Sequence, residues 1–179
     1  MKRYLPIACL LLCAFQCGVD YDGPDVYFGP GESITRRDAQ GRPNGPPDPD
    51  DWVSDATWSG EETHLLGLPY GAGLVPLNGS QQLATVSHTE AFPNPAPNGE
   101  ATWRIQLSLA APCPCLVQSV YVSRRYTFID RSSDTLQAGD SRRVPLRTQA
   151  PGQLYRLYYL ISNANGLLYK GHGDVRHAE

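Results

Sequence analysis

One stretch near the C-terminus constrains the fold more than any other part of the chain. Residues 153–162 read QLYRLYYLIS and are almost entirely apolar or aromatic, which is typical of a β-strand covered on both faces. Residues 163–166 read NANG, and Asn-Gly is a frequent pair in the tight turns of β-hairpins. Residues 167–170 then lead back as a second strand. The sequence therefore predicts a hairpin whose first strand lies inside a sheet.

Two further patterns indicate strands upstream of this hairpin. From Trp103 to Leu109 the odd-numbered residues are apolar and the even-numbered ones are polar, which predicts a strand with one buried and one solvated face. Residues 142–147 form a shorter strand, and Pro145 restricts it to a sheet edge or a bulge because proline has no N–H for the ladder. The chain contains 17 glycines and 16 prolines and has no long helical period. We therefore predict an all-β protein built as an antiparallel β-sandwich.

The N-terminus has the composition of an export signal. A short basic start precedes an apolar run that includes Cys9 and Cys13 and is too short to cross a bilayer, which needs roughly 20 residues. The run is followed by Cys17, and it resembles a bacterial lipoprotein signal, in which such a cysteine becomes the lipid-bearing N-terminus. We expect residues 1–16 to be a signal peptide and Cys17 to be acylated, so that the lipid bilayer is a partner. An ordinary secreted protein is the alternative, and an uncleaved anchor is a further one.

The region after the signal differs in composition from the rest of the chain. Residues 17–51 contain six prolines, and residues 17–60 contain nine acidic residues and three arginines. So few apolar side chains are present that their burial is not expected to offset the entropy of ordering the backbone. We predict an acidic, disordered tether over residues 17–51 and a β-sandwich domain over residues 52–179.

Residues 91–99 read AFPNPAPNG and lie just before the alternating strand. This Phe-Pro-Asn-Pro turn with its following strand is similar to the start of the Ig-like β-sandwich domains found at the C-termini of many bacterial secreted proteins. Those domains include the sorting domains of type IX secretion and the Ig-like fold of flagellar hook-capping proteins. The resemblance covers residues 91–175 and continues in three short stretches, residues 117–121, 136–140 and 151–157. It implies an Ig-like fold and, as an alternative function, a sorting or adhesion module.

Two cysteines remain as thiols in the mature chain if Cys17 is acylated. Cys113 and Cys115 are candidates for an internal disulfide because an exported protein folds in an oxidising compartment. Partners two residues apart can close a ring only where the backbone bends. Two unbonded thiols are the alternative.

The residues nearest to a metal-ligand set are His172, Asp174 and His177. In an extended strand the first two share one face and the third projects to the other. Three-ligand sites usually gather side chains from distant segments on a rigid frame, so we expect no metal and no cofactor here. A small metal-dependent enzyme that uses these three side chains is kept as an alternative.

Composition and motifs also bear on the class of function. A net charge of −3 gives no electrostatic footprint for nucleic acid, and the chain has no G-x-S-x-G elbow. We expect a non-catalytic cell-envelope lipoprotein with a structural or protein-interaction role, located on the periplasmic face of a membrane or at the cell surface. The alternatives are a secreted protein whose C-terminal half is a sorting or adhesion module, and the metal-dependent enzyme.

Overall fold

The structure is a computed structural model that describes residues 23–67, 76–77 and 79–179. Its strands are β1 (Val53–Ser54), β2 (Val86–Phe92), β3 (Glu100–Leu107), β4 (Cys115–Ser123), β5 (Phe128–Leu136), β6 (Ser141–Arg147), β7 (Leu154–Asn163) and β8 (Gly166–Arg176). An eight-residue helix, α1 (Gly60–Gly67), precedes β2. None of the helices in the described residues is long and apolar enough to cross a membrane.

The strands form two sheets that pack face to face. One sheet has the order β1-β8-β7-β4-β5 and the other has the order β2-β3-β6, with antiparallel neighbours throughout. The chain changes sheet after β1, after β3, after β5 and again after β6. This is the Greek-key connectivity of Ig-like sandwiches. The predicted all-β, antiparallel Ig-like sandwich is confirmed.

The main core lies between the two sheets and follows the patterns of the sequence. Trp103, Ile105 and Leu107 of β3 point into this core, while the residues between them face outwards. The ring of Trp103 lies 5.4 Å from the ring of Tyr159, which belongs to the facing sheet. Strand β7 is flanked by β8 and β4 and is buried along nearly its whole length, and the turn to β8 falls at the predicted Asn-Gly pair. The hairpin is confirmed, and the alternating strand is confirmed as far as Leu107; Leu109 lies beyond the end of β3 and is 89% exposed.

A tyrosine fixes the crossing from β6 to β7. The hydroxyl of Tyr155 accepts hydrogen bonds from the backbone N–H groups of Gln149 (3.0 Å) and Ala150 (2.8 Å). A tyrosine at the start of this strand that bonds back to the upstream backbone is the tyrosine corner of Ig-like sandwiches. The hydrogen bonds therefore hold the loop at the point where the chain changes sheet.

The described part of the predicted tether is packed against the sandwich. Val26, Phe28 and Ile34 are buried, and with Trp58 they cover the outer face of the five-stranded sheet. Beneath them lie the outward side chains Val120, Val122, Leu154, Tyr158 and Leu160. The prediction of a disordered tether is therefore wrong for residues 23–51. Average composition was misleading, because a few apolar side chains suffice when the sheet offers an apolar face that they can cover.

Candidate functional site

Two of the three candidate metal ligands meet at one cavity. His172 and Asp174 lie on the outer face of β8 and line a cavity of about 240 Å³ beneath the N-terminal segment. The cavity is also lined by Tyr27, Phe28, Asp48, Asp50, Asp51, Val53 and Arg156. His177 lies beyond the end of β8, where its backbone bridges to Ala96. The three candidates are thus not brought together, and the described residues contain no group of three side chains suited to a metal ion.

A buried ion pair forms the floor of this cavity. The Nε and Nη2 atoms of Arg156 each donate a hydrogen bond of 2.7 Å to the carboxylate of Asp174. Burial by itself would lower the pKa of Arg156, but the hydrogen bonds and the charge of Asp174 outweigh burial and raise it. The ring of Phe28 lies between two guanidinium groups, 5.0 Å from Arg156 and 5.1 Å from Arg124, and Arg124 pairs with Glu32 at 2.6 Å.

Asp51 holds the N-terminal segment to β8. Its carboxylate accepts the backbone N–H of Thr35 at 2.8 Å and the backbone N–H of Asp174 at 2.6 Å. Burial, and after it the charge of Asp174, raise the pKa of Asp51 to about 7, although the two N–H donors act in the opposite direction. This carboxyl group therefore carries a proton for part of the time near neutral pH.

Further polar contacts attach the chain between β1 and α1 to the same sheet. The Nδ1 atom of His172 lies 2.7 Å from Oδ1 of Asp55, and the indole N–H of Trp58 donates to Oδ2 of Asp55 at 2.7 Å. From α1, Glu62 accepts a hydrogen bond of 2.8 Å from the hydroxyl of Tyr158. These contacts fasten residues 23–67 to the outer face of the five-stranded sheet.

The sequence placed His172 and Asp174 on one face but did not reveal their partners. Asp55 lies 117 residues before His172, and Asp51 lies 123 residues before Asp174. Both acids fell in or beside a segment that composition assigned to a tether. No local pattern links residues at such separations, so these contacts follow only from the fold.

The remaining predicted site residues are cysteines. Cys113 and Cys115 are joined by a disulfide with a Cα–Cα distance of 4.4 Å, just at the start of β4, and Cys115 is fully buried. The ring closes where the chain leaves a turn and enters the strand, so the backbone supplies the bend that such a short ring requires. Cys17, the predicted lipidation site, lies outside the described residues.

The outer face of the three-stranded sheet differs from that of the larger sheet, because most of its side chains are half-buried or exposed. Phe92 and Glu90 of β2 are the exceptions, since Phe92 is 9% exposed and only 1% of the side chain of Glu90 is exposed. The carboxylate of Glu90 pairs with Arg37 at 2.9 Å, with Arg104 at 2.5 Å and with His88 at 3.0 Å. Arg37 comes from the N-terminal segment, which thus reaches one end of this face.

Arginines dominate the rest of this surface. Arg104 and the directly opposite Arg143 of β6 lie over the ring of Phe92, at 5.6 and 5.9 Å from its centre. Arg147 lines a groove of about 380 Å³ with Pro93, Thr102, Pro145 and neighbouring residues. Among the described residues, no carboxylate lies within ion-pair distance of Arg143 or Arg147. We call the outward side chains of Phe92, Thr102, Arg104, Arg143, Pro145 and Arg147 the arginine face.

Sequence reasoning did not single out the arginine face, although a signal was present. Arg143, Pro145 and Arg147 alternate with the buried Val144 and Leu146 of the edge strand. The proline of β6 predicted either a sheet edge or a bulge, and β6 lies at a sheet edge. The alternation alone would also have placed two arginines on the solvated side of that edge.

Comparisons with known proteins add little to this geometry. No family model and no curated protein matches the chain. Among solved structures, a β-glucuronidase from glycoside hydrolase family 2 aligns over 50% of this chain with a TM-score of 0.34 and 8% sequence identity. The aligned part is 11% of the length of that enzyme. A likeness of this size supports no argument about function.

Proposed function

We propose that this protein is a non-catalytic lipoprotein of the cell envelope that acts through binding to other envelope components. Acylated Cys17 would anchor it in a lipid bilayer, on the periplasmic face or at the cell surface. The sandwich, with residues 23–67 fastened to it, would then present its open surface to a protein partner.

The observation that carries this proposal is the unequal use of the two outer sheet faces. Charged groups on the five-stranded sheet are bonded within the molecule, including Arg156, Asp174 and Asp51 around the cavity. On the arginine face, the exposed guanidinium groups of Arg143 and Arg147 have no carboxylate partner among the described residues. Exposed arginines next to an aromatic ring are typical of protein-binding surfaces.

Metabolic labelling with a tagged fatty acid tests the anchor directly. We expect label on the wild-type chain and no label on Cys17→Ala, with loss of that variant from the membrane fraction. Cys9→Ala and Cys13→Ala are matched controls, because both cysteines belong to the predicted signal and are removed with it. Unchanged labelling and membrane retention of Cys17→Ala would contradict the proposal.

A further inference from the structure

The molecule already shows how an acidic protein segment covers a sheet face. Residues 23–67 contain nine acidic residues and three arginines. From this segment Glu32 pairs with Arg124, Asp55 pairs with His172, and Glu62 accepts the hydroxyl of Tyr158. Carboxylates of a protein segment thus satisfy several polar side chains on this side of the molecule, while Arg156 is paired within the sheet with Asp174.

The arginine face repeats part of this arrangement: the N-terminal segment covers it at Phe92, where Gly41 lies against the ring, but leaves Arg143 and Arg147 exposed. Phe92 lies beside Arg104 and Arg143, as Phe28 lies between Arg124 and Arg156. Stacking on the ring holds each guanidinium group in place, so that less side-chain entropy is lost when it binds a carboxylate through two hydrogen bonds. Arg143 and Arg147 face the same side of β6, about 13 Å apart for four residues of strand.

Strand addition is disfavoured at the two neighbouring sheet edges. Pro145 has no N–H to donate from the edge strand β6. On the edge strand β5, the carboxylates of Asp130 and Asp134 accept the backbone N–H groups of Arg131 and Thr135, both at 2.8 Å. A partner therefore has to contact the face through its side chains and not by extending a sheet through its backbone.

The charge distribution favours individual carboxylates, and not a continuous polyanion, as the ligand of the arginine face. The chain has a net charge of −3, and Glu100 lies opposite Arg147. Basic patches that hold anionic membranes contain about four to eight lysines or arginines, and a net negative protein does not draw a polyanion from a distance. Short-range, bidentate pairing with individual carboxylates does not require a large positive field.

From these observations we infer that the arginine face binds an acidic segment of a partner protein, whose carboxylates pair with Arg143 and Arg147 and whose chain lies in the groove lined by Thr102 and Pro145. The inference rests on the proposed interaction role. Peptide binding to this face does not depend on acylation of Cys17. A negative result in the peptide titration therefore does not change the interpretation of the fatty-acid labelling, and the reverse also holds.

The probe is a fluorescent ten-residue peptide of alternating Glu and Gly, titrated with the full chain in a neutral detergent and followed by fluorescence anisotropy. We expect the double variant Arg143→Gln/Arg147→Gln to weaken binding about tenfold or more, since two charge-assisted pairs are lost. The double variant Arg143→Lys/Arg147→Lys keeps both charges without the bidentate geometry and is expected to fall in between. A peptide of alternating Gln and Gly should not bind.

Arg125→Gln/Arg131→Gln is the matched control, because it removes the same charge from exposed positions outside the arginine face. It should change binding less than about twofold, since it leaves the pairs to Arg143 and Arg147 intact. An equal loss in both double variants would overturn the inference, as would the absence of binding at millimolar peptide. Tighter, face-dependent binding of dextran sulfate or of vesicles rich in anionic phospholipid would also overturn it. Thermal unfolding of each variant verifies that it is folded.

Discussion

Each outer face of this sandwich carries a phenylalanine ring next to two arginines, but the two faces differ in whether those arginines are paired with carboxylates. On the five-stranded sheet, Phe28 lies between Arg124 and Arg156, and both arginines pair with carboxylates. On the three-stranded sheet, Phe92 lies beside Arg104 and Arg143, and only Arg104 has a carboxylate partner among the described residues.

The difference shows that a charged side chain has a different role on each face. On the covered face the ion pairs are buried, so the loss of one partner leaves a charge in a medium where solvation is poor. On the open face most arginines remain hydrated, so they contribute little to folding and are available to a partner. Substitutions on the two faces should therefore affect stability very differently.

The largest effect is expected for Arg156→Gln. Asp174 would remain buried next to Asp51 without its cation, since the side chains of Arg156 and Asp174 are only 8% and 5% exposed. Breaking one partner of such a pair typically costs about 3–5 kcal/mol, which we expect to see as a lower urea midpoint. Arg125→Gln, on an exposed turn, should change the free energy of unfolding by less than about 0.5 kcal/mol. Similar losses in both variants would contradict the distinction between the faces.

The pH dependence of stability should report on the covered face. Asp51 has a pKa of about 7 in the folded protein against 3.8 as its ordinary value, so the folded state holds a proton more tightly than the unfolded state does. The contribution of Asp51 is fully present below pH 4 and is lost as the pH rises to 7, by up to about 4 kcal/mol.

Urea unfolding of the wild type and of Asp51→Asn between pH 5 and pH 8 measures this contribution. The free energy of unfolding of the wild type, minus that of Asp51→Asn, should fall as the pH rises from 5 to 8, whatever the absolute stability of the variant. Asp50→Asn is the matched control, because Asp50 is the exposed neighbour. Parallel pH profiles for the wild type and Asp51→Asn would show that Asp51 does not titrate in this range.

An intermediate effect is expected for Glu90→Gln, the buried acid of the open face. The substitution leaves Arg37 and Arg104 without their carboxylate, but their side chains are 17% and 32% exposed and can recover water. We therefore expect a loss of about 1–3 kcal/mol in the free energy of unfolding, smaller than for Arg156→Gln. Glu100→Gln, an exposed acid of the same sheet, is the control and should be close to neutral. A larger loss in the free energy of unfolding than for Arg156→Gln would contradict the expectation that ion pairs on the covered face contribute more to stability.

The strands of the core were predictable because their patterns are local. The alternation around Trp103 and the apolar run of β7 each fix which side chains enter the core, and both are confirmed. The covering of the five-stranded sheet was not predictable, because Val26, Phe28 and Ile34 form no periodic pattern. Their burial depends on a sheet whose strands come about 100 residues later, so composition suggested disorder where tertiary packing produces order.

The candidate sites, too, were predictable only where their residues lie close together in the sequence. Cysteines two residues apart could be proposed as a pair from their spacing, and the disulfide of Cys113 and Cys115 needs only a local bend. The partners of His172 and Asp174 come from the N-terminal segment, and the arginine face combines side chains from three strands. Only the topology of the sandwich brings such groups together.

The smallest effect is expected for Arg143→Gln. Arg143 lies directly opposite Arg104, and like charges in this position repel one another, which the substitution relieves. It also removes the stacking of Arg143 on Phe92, which at an exposed site is worth about 0.5–1 kcal/mol. The two contributions have opposite signs and similar size, so we expect the melting temperature to change by no more than about 2 °C. Added salt should raise the stability of the wild type slightly more than that of the variant, because it screens the repulsion. A loss comparable to that of Arg156→Gln would instead show that Arg143 is required for folding, and that the open face is not free for a partner.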